Sequence, residues 1–229
     1  MVARLSSMRA AEQARSTGTS PSRGRAAAFL DRDGTIIREV DHLTDQRQIR
    51  LLPRAARAIC RLNRAGVAVV IVSNQSVVAR GMTDERGVTA VNDEVLRRLA
   101  RRGARVDLIE YCPHHPEGSV ARYRKRCGCR KPAPGMLLRA SRALALDLSR
   151  SVAIGDNVGD ILAGRVVGAT TILLLGGHGR AALKALRPSG RQADYTTTTL
   201  ARAVDWWLTH GAILAHGPSN AWIMPHSAR

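Results

Sequence analysis

AAAFLDRDGT, residues 26–35, is the stretch that decides the fold. Its first half is an apolar run too short for a helix, which predicts a strand over Ala26–Leu30 buried on both faces. Its second half, Asp31-Arg32-Asp33-Gly34-Thr35, is a tight polar turn in which Gly34 lets the backbone bend sharply. The pattern recurs downstream. Val67–Val72 is a second apolar run, leading into Ser73-Asn74-Gln75-Ser76. Val106–Tyr111 leads into Cys112, Ser151–Ile154 into Gly155-Asp156, and Thr170–Leu175 is expected to be the last strand. Helical periodicity lies between these runs, over Ala55–Ala65 with Gly66 as its stop, Asp84–Arg101, Pro134–Ala145, Ile161–Val167 and Ala201–Thr209. Apolar strands alternating with helices predict an α/β fold, a parallel sheet with helices on both faces. Each polar cluster then lies past the C-terminal end of a strand, where open α/β sheets bind ligands.

The chain has 229 residues, enough for one domain with a substantial core. Apolar residues make up 45% of it and aromatic residues only 3%, so that core must be built from Ala, Val, Leu and Ile. Residues 1–25 are rich in Ser, Arg, Gly and Ala and are expected to form a disordered basic tail. Residues 26–210 are expected to form the domain and 211–229 a loose tail. There is no apolar run long enough to span a bilayer and no secretory h-region near the start. The expectation is a cytoplasmic monomer without membrane contact. The formal charge of +18 raises nucleic acid as a partner. Scattered arginines and the scarcity of aromatic stacking platforms argue against it as the primary substrate, whereas a small anion uses the same field.

Asp31 and Asp33, two residues apart past a buried strand, repel one another. Asp156 and Asp160 repeat the problem at helical i, i+4 spacing. Helix capping by Asp156 would explain one of these acids but not the other. A divalent cation explains all four in a chain of this charge, and Mg²⁺ prefers carboxylate and water oxygens. Ser73 and Asn74 offer donors to phosphate oxygens, and Lys131 offers a charge for a transferring phosphoryl group. Cys112, His114, Cys127 and Cys129 pair as C-x-H and C-x-C around a polar excursion, matching a closed Cys₃His site for Zn²⁺. His115 is the alternative imidazole, and Cys60 reads as an inert residue of the core.

The order acid pair, Ser, Lys, acid pair resembles the haloacid-dehalogenase phosphatases. FLDRDGTI, SNQSVVARG and CPHHPEGSVARYRKRCGCRKPAPGM together resemble the D-glycero-D-manno-heptose-1,7-bisphosphate 7-phosphatases, over roughly residues 26–180. The resemblance implies a Rossmann-like fold with no large cap domain, so loops form the pocket. It implies Asp31 as nucleophile and Asp33 as general acid and base. Mg²⁺ would be held by the side chains of Asp31 and Asp156 and the carbonyl of Asp33, with Asp160 orienting this shell. Ser73 and Lys131 would bind the phosphoryl oxygens, and Arg130 with the Ser73–Gln75 loop the phosphorylated sugar. Two positions depart from the family pattern: Asn157 stands where Lys is usual, and Val77 where Gly is usual. Competing readings are a histidinol-phosphate or other small-molecule phosphatase, a nucleic-acid-associated phosphatase, and a zinc-stabilised binding module.

Overall fold

The computed structural model describes residues 24–214. Almost all of the expected N-terminal tail, and the C-terminal tail from residue 215 onward, lie outside the described residues. Gly24 and Arg25 are described, and Arg25 bridges to Leu146 beside the sheet.

Six strands form one parallel sheet: β1 (Ala27–Leu30), β2 (Ala68–Asn74), β3 (Leu108–Cys112), β4 (Val152–Gly155), β5 (Thr170–Leu174) and β6 (Tyr195–Thr197). Their order is β3-β2-β1-β4-β5-β6. The chain leaves β1 toward one side through β2 and returns to pair β4 on the other, so the crevice between β1 and β4 is the topological switch point. The helices are α1 (Ala55–Arg64), α2 (Glu85–Ala100), α3 (Gly135–Leu144), α4 (Val158–Val166), α5 (Gly179–Leu186) and α6 (Leu200–Leu214). Side chains alternate across each strand, and the two cores follow that alternation. Ala28, Leu30, Val69, Ile71, Ile154 and Ile172 point to one face, where α1, α2 and α6 supply Ile59, Leu62, Val95, Leu99 and Val204. Ala27, Phe29, Ala68, Val70 and Ala153 point to the other, onto Met136, Leu137 and Ala140 of α3 and Ala163 of α4.

Several expectations change. Thr170–Leu174 is not the last strand, because β6 adds to its outer edge. Three residues in a Thr run are too short to show periodicity. Helix α5 went unseen in the sequence because flanking glycines and Pro188 read as loop. Helix α4 starts at Val158 instead of Ile161, because Asn157 caps it: its side chain accepts from Gly159 N–H, while Asp160 accepts from Asn157 N–H. That is a reciprocal capping box. The cap is therefore Asn157, not Asp156, and the departure from the family's Lys has a structural task. Helix α6 runs on to Leu214, beyond the expected boundary at 210. Among the described residues, no helix is long and apolar enough to cross a membrane.

Candidate active site and thiol cluster

The four polar turns expected at strand ends meet in one cavity of about 440 Å³, lined among others by Asp31, Asp33, Glu39, Ser73, Gln75, Arg130, Lys131, Asp156, Asp160 and His178. Asp31 follows β1 and its N–H donates to Ile154 O of β4 at 2.9 Å, which hangs the turn over the switch point. Gly34, at φ +72°, closes that turn. A Cβ there would lie 2.1 Å from Asp156 Oδ2, so glycine also makes room for the opposing carboxylate. Gly177 does the same from the far side, its Cβ position 2.0 Å from the same oxygen.

Lys131 is buried, and its Nζ lies 2.8 Å from Asp31 Oδ1, 2.5 Å from Asp160 Oδ1 and 2.6 Å from Val72 O. Burial opposes its charge, but Asp160 and Asp31 outweigh burial and hold the ammonium above its ordinary range. The carboxylates around Lys131 remain under-compensated. Burial drives Asp31 well above the usual carboxylate value, against the attraction of Lys131 and with added repulsion from Asp160 and Asp33. Asp156 is pushed to about 6, chiefly by burial. Glu39 rises to about 7 through burial and the nearby Asp33 and Asp156.

One oxygen from each of Asp31, Asp156 and Asp160 falls within 4.8 Å of the others, so the three could hold a cation. Their hydrogen bonds separate the roles. Asp160 Oδ2 accepts from Asn157 N–H, whereas its buried Oδ1 is ion-paired with Lys131 Nζ but has no hydrogen-bond donor among the described residues. Asp31 uses Oδ1 for Lys131 and Asp156 uses Oδ2 for His178 N–H at 2.9 Å. Asp31 Oδ2 and Asp156 Oδ1 are left without a protein donor among the described residues. Two destabilised carboxylates with free oxygens, facing one crevice, fit a hard divalent ion.

Asp33 is oriented from two sides. Arg32 donates from Nε at 3.1 Å and pairs through Nη2 at 2.9 Å, and Gln75 Nε2 donates to Asp33 Oδ2 at 3.0 Å. Gln75 Nε2 also lies 2.7 Å from Ser73 Oγ, and its Oε1 accepts from Arg32 Nη2 at 2.9 Å. Arg32 is 1% exposed and ends on Asn92 Oδ1 of α2 at 2.8 Å. Sequence reading assigned Arg32 no role; the available signal was an arginine between two acids, just past a wholly apolar strand. It also missed Asn92, Glu39 and His178. Asn74 has a different place from the one expected. Its carboxamide brackets the Lys131 peptide, accepting from the N–H and donating to the C=O at 3.0 Å each.

The register of β2 on β3 sets Asn74 beside Cys112, the first residue of the thiol cluster. The sulfurs of Cys112, Cys127 and Cys129 lie 3.2–3.5 Å apart, and His114 Nδ1 lies 3.6 Å from Cys112 Sγ and 3.4 Å from Cys129 Sγ. A disulfide needs about 2.05 Å. A tetrahedron with Zn–S bonds of about 2.3 Å has S···S edges of about 3.8 Å. The cluster is therefore a slightly contracted tetrahedron compatible with zinc. The imidazole in it is His114. His115 Nδ1 instead accepts from Glu117 N–H at 3.1 Å. Glu85 at the start of α2 ties this loop to β3, accepting from Tyr111 OH at 2.9 Å and Tyr123 OH at 2.6 Å. Val77 is buried in the same seam with Val78, Ala79 and Tyr123, so the side chain that departs from the family's Gly packs against the loop.

A family model described as HAD-hyrolase-like matches residues 128–203. The D-glycero-beta-D-manno-heptose-1,7-bisphosphate 7-phosphatase of Rhodopseudomonas palustris is 43% identical over 150 residues, covering 66% of this chain and 83% of the relative. The chain belongs to the heptose-bisphosphate phosphatase family of the haloacid-dehalogenase superfamily. The D-glycero-D-manno-heptose-1,7-bisphosphate 7-phosphatase of Thermosynechococcus vestitus is 40% identical over 190 residues, 81% of this chain and 97% of the relative. The crystal structure of the B. bronchiseptica D,D-heptose 1,7-bisphosphate phosphatase, complexed with magnesium and phosphate, matches with a TM-score of 0.69 at 32% identity. It covers 81% of this chain and 99% of that one.

Proposed function

We propose that the chain removes the C7 phosphate of D-glycero-D-manno-heptose 1,7-bisphosphate, leaving heptose 1-phosphate and inorganic phosphate. The observation that carries this reading is Lys131 Nζ held between Asp31 and Asp160 at the switch point, beside two carboxylate oxygens without donors. Asp31 Oδ2 and Asp156 Oδ1, with the Asp33 carbonyl, would hold Mg²⁺, which supplies positive charge to the phosphoryl oxygens.

Asp31 is the nucleophile. Lys131 counters the effect of burial on its charge, and the Asp31 carboxylate attacks phosphorus, forming an aspartyl-phosphate as the bond from phosphorus to the C7 oxygen breaks. Asp33 gives its proton to the departing C7 oxygen. It then takes one from the water that attacks the acyl-phosphate, which returns Asp31 and releases phosphate. Arg32 and Gln75 hold the Asp33 carboxyl toward the pocket during both transfers. Ser73 and the Lys131 ammonium receive phosphoryl oxygens, and Arg130, half-buried at the end of the thiol loop, faces the sugar or its second phosphate. Arg130 Nη1 already donates to His114 O at 3.1 Å, which aims the guanidinium. Zn²⁺ on Cys112, His114, Cys127 and Cys129 would fix the loop that carries Arg130 and Lys131.

The test is phosphate release from heptose 1,7-bisphosphate, heptose 7-phosphate and histidinol phosphate. The proposal expects the highest kcat/KM on the bisphosphate. Hydrolysis of histidinol phosphate with neither heptose used would overturn the substrate and retain only the chemistry.

A further inference from the structure

The active pocket is an acidic island in a chain of net charge +18. A second cavity of about 590 Å³ has the opposite character. It is lined by Leu51, Leu52, Pro53, Ala55, Ala56 and Cys60 together with Arg54, Arg57, Arg64 and Arg102, and contains no Asp or Glu. It shares no lining residue with the active pocket. The sequence suggested scattered arginines; the fold gathers four of them here.

Helix α1 carries no acid, and its arginines at 57, 61 and 64, with Arg54 at its N-cap, repel one another at helical spacing. Among the described residues, Arg61 alone of these finds an acid, Asp205 of α6. Arg54, Arg57, Arg64 and Arg102 form no ion pair there; Arg102 Nη1 only donates to Arg98 O at 3.2 Å. The thiol of Cys60, 3.5 Å from Arg102 O, joins the two walls. From Arg54 to Arg64 the helix rises about 15 Å, too far for a single phosphate to engage every guanidinium, while a short chain of phosphates can engage neighbouring ones together. Each guanidinium can offer two parallel donors to an oxyanion. The volume is that of a small-molecule site, about 300–1,000 Å³, and there is no aromatic side chain in the lining on which a base could stack.

We propose that this groove binds a compact oligophosphate anion, remote from the phosphatase centre. The proposal is independent of the substrate named above.

The test is calorimetric titration of the zinc-replete full chain, without added Mg²⁺, by inorganic tripolyphosphate and by ATP. Wild type should bind one tripolyphosphate per chain, with affinity falling as salt rises. Arg57→Gln with Arg64→Gln, both exposed positions, should weaken binding at least about tenfold. Sugar-phosphate hydrolysis with Mg²⁺ should stay unchanged in the same variant. Tighter binding of ATP than of tripolyphosphate assigns the chain to a nucleotide; equal binding assigns it to the phosphates alone. Three results overturn the proposal: no binding by wild type, equal binding by wild type and the double variant, or binding of a single-stranded oligonucleotide but not of tripolyphosphate. The last would make the groove a nucleic-acid surface.

Discussion

Replacing Lys131 by Met keeps the length of the side chain and removes the only ammonium between Asp31 and Asp160. Two buried carboxylates then face each other, and Val72 O loses its donor. Breaking a buried ion pair from one side costs about 3–5 kcal/mol. For a domain of this size, 1 kcal/mol is about 2–4 °C in Tm, so the variant should melt about 6–20 °C below wild type at pH 8 without Mg²⁺. The loss has a pH signature. Burial already raises Asp31, and without Lys131 its proton affinity rises further. At pH 5 a proton can replace the missing ammonium, so the gap in Tm should narrow. Added Mg²⁺ should narrow it at pH 8 by supplying charge to the same carboxylates. Circular dichroism melts at pH 5 and pH 8, with and without Mg²⁺, provide all four comparisons. A variant within about 2 °C of wild type at pH 8 without metal would refute the claim that Lys131 neutralises this cluster.

Asp31→Asn should fold, and should lower phosphate release by on the order of 10⁴-fold or more, since an amide cannot form the acyl-phosphate; near-wild-type turnover by the folded variant sinks the covalent route. The folded-state value of Asp156 lies at about 6, above 3.8 in the unfolded chain. The folded protein therefore binds more protons between these values, and this group's contribution to metal-free stability falls as pH rises through that window, by about 3 kcal/mol in all. Magnesium affinity should rise with pH through about 6 as Asp156 ionises; a flat titration from pH 4.5 to 7.5 removes Asp156 from the ligand set. Cys127→Ser with Cys129→Ser should abolish tightly held zinc by elemental analysis while wild type retains one ion per chain through dialysis; a metal-replete wild type without zinc rejects the clamp. Arg130→Lys should reduce kcat/KM on the 1,7-bisphosphate about ten- to a hundred-fold, for a lost charge-assisted contact of roughly 1.5–3 kcal/mol. An equal loss on heptose 7-phosphate would move Arg130 to the transferring phosphoryl group.

Continuous apolar strands followed by polar turns were legible because a parallel strand buried on both faces has no polar positions to confuse the signal. Asp31, Asp33 and Asp156 stood out in the sequence because like charges gathered past strand ends need a reason, and Lys131 because of its place in the order of the motifs. What stayed hidden was partnership. Nothing local in Asn74 says that its carboxamide will grip the Lys131 peptide 57 residues on. Arg32 sits in the motif, but its role depends on Gln75 and Asn92, which only the closed sheet brings near. Asn157 read as a departure from a family pattern, whereas three residues of helix geometry turn it into a cap.

One residue separates the last thiol of the Cys112–Cys129 cluster from Lys131, and the Asn74 bracket joins that stretch to the sheet. Reagents that never enter the pocket can therefore silence it. An alkylator or oxidant acting on Cys127 or Cys129 should loosen the segment that sets the lysine and act as a time-dependent inhibitor that substrate does not compete away. In a screen for compounds against this enzyme, such molecules would pass as active-site hits unless each is re-assayed with excess thiol.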